Sequence, residues 1–189
     1  MPTFLTQQEV TETINLPSEP GVKPIEILER NFRYIRQIGS LPISGGWGYT
    51  KEDAVIIDRD SPILKQQDSV DIQRIVSLFI EYRTYQELTE HPEPGKKYNE
   101  IKCDFSDYSI IGSGDQKYWR LDYQISSIRD GDYIYLVNDW DSNNGFKDDP
   151  EGLKKHDEEY NDRLVKYDTT FWFDVSDFSD GFRVSEIMQ

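Results

Sequence analysis

Asp139, Asp141 and Asn143 alternate ahead of Asn144-Gly145, and Glu151 follows six residues after that glycine. Oxygen donors at alternate positions beside a glycine turn are the arrangement of a calcium loop, because a hard cation collects carboxylate and amide oxygens. The run departs from an EF-hand in carrying one extra residue and in following Tyr133–Val137, which reads as a strand where a helix should stand. An Asn-Gly turn in a solvated acidic loop explains the same residues. Asp139, Asp141, Asn143 and Glu151 are the candidate metal set.

Ser44-Gly45-Gly46-Trp47-Gly48-Tyr49 followed by Thr50-Lys51-Glu52-Asp53 is a second candidate. Glycines let a ligand approach the backbone, Trp47 and Tyr49 offer stacking faces, and Lys51, Glu52 and Asp53 offer charge. A glycine-assisted turn anchored by two packed aromatics is the competing explanation. It is not a phosphate-binding P-loop. The glycine spacing before Lys51 is wrong, and Ala54–Asp58 reads as a strand where that motif requires a helix.

Acid–base chemistry is harder to place, because 36 Asp and Glu residues make any carboxylate pair arbitrary. Glu81, between Ile80 and Tyr82, is the carboxylate expected to be partly buried with a raised pKa. Nucleophilic catalysis finds no constellation. Cys103 alternates with Ile101 and Phe105 as a core thiol would, His91 adjoins Pro92 in a turn, His156 lies on a charged helix, and no Ser occupies a Gly-x-Ser-x-Gly elbow. A single cysteine and two histidines also leave little for a disulfide, a zinc site or an iron–sulfur cluster. No cofactor is expected.

These residues must be positioned by an α+β fold. Residues 1–23 read as an extended polar lead-in, and 24–189 as a single domain. Ile25, Leu28, Phe32, Ile35 and Ile38 recur at spacings of three and four, which predicts a helix over Pro24–Ile38. Within 72–88, Ile72, Ile75, Val76 and Phe79 fit a helical stripe, but β-branched and aromatic enrichment over Ile75–Tyr85 favours a strand. Strands are further expected at Ala54–Asp58, Ile101–Ile111, Lys117–Ile128, Tyr133–Val137 and Thr170–Val175, and a second helix at Leu153–Tyr167. Helices near the two ends of a strand-rich chain imply a mainly antiparallel sheet covered by them.

The run Leu41–Asp58, with Gly45-Gly46-Trp47-Gly48-Tyr49-Thr50-Lys51-Glu52-Asp53-Ala54-Val55-Ile56-Ile57-Asp58 at its centre, resembles a family of small, uncharacterised bacterial proteins. Ile80–Leu88 and Phe171–Val175 are similar to later segments of that family. The resemblance implies a bacterial, cytoplasmic protein, and it brings no activity, cofactor or catalytic residue.

Composition sets the remaining bounds. The 189 residues carry a formal charge of −15, with 11 basic and 16 acidic side chains in residues 1–100 against 10 and 20 in residues 101–189. A surface of that sign disfavours nucleic acid and anionic membranes, and no apolar run is long enough to span a bilayer. It suits a basic protein. The expected function is therefore non-catalytic binding, of the kind that immunity proteins against basic bacterial toxins perform, through Trp140 with Asp139, Asp141, Asp148 and Asp149. A carboxylate-dependent hydrolase using Glu81 and the Trp47–Asp53 loop, and a calcium-binding protein, are the alternatives.

Overall fold

The computed structural model describes residues 1–6, 21–33, 41–61, 72–90, 97–113 and 115–178. Among them the chain is α+β, with one six-stranded mixed sheet and four helices. The strands are β1 (Thr3–Phe4), β2 (Ile43–Gly45), β3 (Val55–Ile57), β4 (Tyr98–Ser113), β5 (Gln116–Arg129) and β6 (Leu164–Asp174). The helices are α1 (Pro24–Asn31), α2 (Ile72–Thr89), α3 (Asp130–Ser142) and α4 (Pro150–Arg163).

The sheet order is β2-β3-β6-β5-β4, with β1 on β6 beside that path. β2 lies antiparallel to β3, with Ile43 opposite Ile57, whereas β3 and β1 both run parallel to β6. β4 ends at Ser113 and β5 begins at Gln116, a connection short enough only for an antiparallel hairpin. β5 and β6 are antiparallel as well: Lys117 meets Val175, and Asp122 meets Thr170 further along.

Two compact units make up the chain, and each has its own apolar interior. In the unit formed by 17–86, 105–123 and 169–189, Phe79 of α2 stands edge-on to Phe173 of β6, and Phe32 packs against Tyr82. Phe171 and Phe173 are completely buried, each contributing about 1.5–3 kcal/mol through apolar area removed from water. In the unit formed by 1–16, 87–104 and 124–168, the buried residues include Ile125, Ile128, Leu136, Val165 and Tyr167. There α3 and α4 pack against each other.

Several expected elements change type or length. Ile75–Tyr85 is helical, inside α2, and Ile72, Ile75, Val76, Phe79, Ile80 and Arg83 form its buried stripe. Burial of a stripe at helical spacing outweighs the β propensity of its residues. Tyr133–Val137 is also helical, inside α3, started by Asp130 and Asp132 in a first turn that favours acidic groups. α4 begins at Pro150, three residues before the expected start, and yields at Leu164 to β6, so Leu164–Tyr167 is strand. α1 closes with the Phe32 N–H on the Leu28 carbonyl, and residues 34–38 of the expected helix lie outside the described residues, as do 7–20 of the lead-in. The expected strands at 54–58, 101–111, 117–128 and 170–175 coincide with β3, β4, β5 and the end of β6, apart from terminal residues.

Candidate functional site

The acidic segment after β5 builds a small aromatic cluster between two helices. α3 ends where Asn143 turns back, its N–H and its side-chain amide both donating to the Asp139 carbonyl. Asn144, Gly145 and Phe146 then have positive φ values of 50°, 65° and 55°, a left-handed run that reverses the chain into α4. Two of these three carry side chains, so the turn is strained and must be held by its surroundings. Phe146 is buried and supplies that hold.

α4 begins with Asp149 as its N-cap: the carboxylate accepts from the Gly152 N–H at 2.9 Å, and Pro150 takes the first helical position. Two turns on from this cap, His156 points back at α3. Its Nδ1 lies 2.9 Å from the Asp139 carboxylate, and its ring stands 5.2 Å from Phe146 and 5.5 Å from Trp140. Trp140 meets Phe146 edge-on at 6.0 Å. Gly145 lies against the indole so closely that a Cβ there would come within 3.1 Å of the ring.

Trp140 nevertheless remains 44% exposed. It lines a shallow recess of about 330 Å³ with Asp141, Asn144, Gly145 and Lys147. Ile134, Tyr135 and Val137 of the same helix are exposed too. The arrangement is an aromatic surface with apolar and acidic neighbours, braced from behind and open to solvent on one side.

The expected partner-binding residues thus divide. Trp140, Asp141, Asp148 and Asp149 are exposed, Asp149 also capping α4, whereas Asp139 is half-buried and engaged with His156 and Asn143. The candidate metal ligands do not converge. On a helix, Asp139 and Asp141 point roughly 200° apart, so the alternation that suits a loop disperses them. Asn143 is held by Asp139, Glu151 is exposed on the first turn of α4, and no three His, Cys, Asp or Glu among the described residues are grouped to hold a metal ion.

The Trp47 loop is a locked turn. Asp53 accepts from the Trp47 N–H at 3.0 Å, the Gly48 N–H donates to the Asp53 carbonyl, and the Trp172 N–H donates to the Gly48 carbonyl. Gly48 has a φ of 75°, and a Cβ there would meet the Trp172 carbonyl oxygen at 2.8 Å. Lys51 sits over the Tyr118 ring and Glu52 is exposed. Beneath the loop is a residue that sequence reasoning passed over. Arg83 has 0% of its surface exposed, donates to the Trp47 carbonyl, the Thr169 hydroxyl and the Thr170 carbonyl, and lies between the rings of Tyr49 and Phe171 at 4.1 and 3.5 Å. Its signal was its position on the stripe of α2, four residues after Phe79.

Glu81, expected to be partly buried, is exposed, and roughly 200° of helical rotation separates it from the Arg83 side that touches the loop. Cys103 is half-buried and Phe105 exposed, so that part of β4 is more open than a core strand. His91 lies outside the described residues.

No family model, no curated protein and no solved structure matches this chain. No helix among the described residues is long and apolar enough to cross a membrane.

Proposed function

We propose that the chain is a non-catalytic, acidic protein-binding module: an immunity-type protein of the bacterial cytoplasm that neutralises a basic toxin. The contact surface is the α3–α4 face around Trp140. The observation that carries the reading is Trp140 itself. It is half-exposed, yet braced by Gly145, Phe146 and His156, with exposed Asp141 lining the same recess and exposed Asp148 three residues after Gly145 in a chain of charge −15. A braced indole loses little side-chain entropy on binding, which is what makes aromatic anchors effective. The surrounding carboxylates accelerate encounter with a cationic partner, and salt weakens that acceleration.

A toxin gene adjacent to this one supplies the direct test. Its purified product should bind the full chain with an association rate that falls as salt rises, and Trp140→Ala should speed dissociation about tenfold or more. Failure of the chain to bind that product, together with no basic protein retained from the native host at low salt, would overturn the reading. Unchanged dissociation by Trp140→Ala would instead move the site elsewhere.

A further inference from the structure

The two ends of the sheet differ in how they meet solvent. One is β2, only three residues long and so a poor template for another strand. The other is β4, sixteen residues long, which is the last strand in the order and has no strand on its outer side among the described residues. Within β4, Phe105–Gly112 carries one charge, Asp107, in a chain that is 30% charged, and contains neither lysine nor proline. Tyr108 and Ile110 are 41% and 55% exposed, and Phe105 is exposed as well. Edges of this length are ordinarily guarded by lysine, proline or burial, and this one lacks the first two.

We propose that the Phe105–Gly112 edge is a homodimer interface, at which a second copy of this chain adds its own β4 in antiparallel register about Ser109. Each copy carries −15 overall, but the edge itself brings a single carboxylate to the pairing. A basic partner would seek the acidic surfaces elsewhere, whereas this stretch is nearly neutral and fits an equally neutral strand. With Ser109 opposite Ser109 of the second copy, Tyr108 faces Ile110 and Ile110 faces Tyr108, two aromatic–β-branched pairs of the kind that stabilise sheets. Asp107 falls opposite Ile111. The two Asp107 carboxylates are then about 13 Å apart along the strands, beyond a Debye length of about 8 Å at physiological salt. Registers centred on earlier residues bring those carboxylates closer together.

The Tyr108 N–H donates to the carboxylate of its neighbour Asp107 at 2.8 Å, an acceptor that competes with a strand added on that side. Centred on Ser109, the pairing within this stretch runs from Ser106 to Gly112, seven residues and about 24 Å, isologous by symmetry.

The test uses the full chain in sedimentation velocity over a range of concentrations. A monomer–dimer equilibrium is expected. Ile110→Lys should weaken it about tenfold, because symmetry makes the substitution act twice, and Asp107→Ala should strengthen it by removing a competing acceptor. Tyr108→Lys serves in place of Ile110→Lys if the latter melts abnormally. In a Cys103→Ser background, Ser109→Cys should oxidise rapidly to a covalent dimer, since directly opposed residues have Cα atoms within disulfide reach, and Ser106→Cys should not. A chain that stays monomeric at its highest soluble concentration, a dimer indifferent to the lysine variants, or equal cross-linking at 106 and 109 would each overturn the proposal.

Discussion

Nδ1 of His156 on α4 stands 2.9 Å from the carboxylate of Asp139 on α3, and the same imidazole backs the exposed indole of Trp140. One side chain therefore ties two helices together and forms part of the floor beneath the proposed anchor. His156→Ala removes a buried ring and one partner of Asp139, with an expected loss of about 1–3 kcal/mol in stability. Urea denaturation measures the loss. If it is under about 0.5 kcal/mol, the range of an unremarkable surface change, His156 does not brace the cluster.

Gly145 tests the fit of the turn to the indole. Alanine there meets two penalties, a left-handed backbone at φ 65° and a Cβ within 3.1 Å of Trp140. The first costs about 1 kcal/mol on its own. Gly145→Ala should therefore lower stability by at least that much and alter the environment of Trp140, read as a change in tryptophan emission that Trp140→Phe abolishes. An unchanged melting curve would show that the turn relaxes freely.

Arg83 bears on the other unit, where a buried guanidinium supplies donors to three oxygens, that of Thr169 buried and those of Trp47 and Thr170 partly so. Arg83→Met leaves those acceptors without it, for an expected cost of about 3 kcal/mol or more. Arg83→Lys should recover only part of that, since an ammonium cannot reproduce a planar fork held between two rings. Denaturant titration of both variants decides the matter, and equal stability of arginine and lysine would make the charge, and not the fork, the relevant property.

What was legible beforehand follows from which cue dominated each segment. Trp119, Leu121, Tyr123 and Ile125 alternate with less buried neighbours along β5, so a period of two found the strand. Tyr133 to Val137 is an unbroken apolar run, in which period two and period 3.6 cannot be told apart, and only Leu136 of the five is buried. α2 mixes β-branched residues with a helical stripe, and its packing settled what propensity had misdirected. The acidic loop was recognised as unusual by residue type. Its partition could not be read from one dimension: Asp139 and Asp149 gain internal partners because a helix and a cap place them beside His156 and the Gly152 N–H.

That partition separates two neighbouring carboxylates. Asp149→Lys removes the α4 cap and an anion from the helix N-terminus, so it should cost about 1 kcal/mol before any partner is present. Asp148→Lys touches an exposed position and should stay within about 0.5 kcal/mol. With the proposed basic partner, Asp148→Lys should slow association chiefly at low salt and leave dissociation nearly unchanged. Thermal melts of the two variants, followed by binding kinetics for Asp148→Lys, check both statements, and a destabilised Asp148→Lys would refute the division of roles.

The alkaline limb of stability offers a test independent of any partner. Tyr160 on α4 has its pKa raised from 10.0 to about 12, first by burial and then by donating its hydroxyl proton to the Glu100 carboxylate at 2.8 Å. The ionised phenolate would sit against that carboxylate, so the folded chain keeps Tyr160 protonated where the unfolded chain releases the proton. The folded pKa is the higher one. Its contribution is therefore complete below about pH 10 and is lost as pH rises from there through about 12. Tyr160→Phe should flatten this part of the stability curve and remove one late-titrating tyrosine from the absorbance titration. Glu100→Gln should move that titration to lower pH, since it takes away the negative charge but leaves an acceptor. If Tyr160→Phe and the parent lose stability in parallel between pH 10 and 12, the hydroxyl does not carry the coupling.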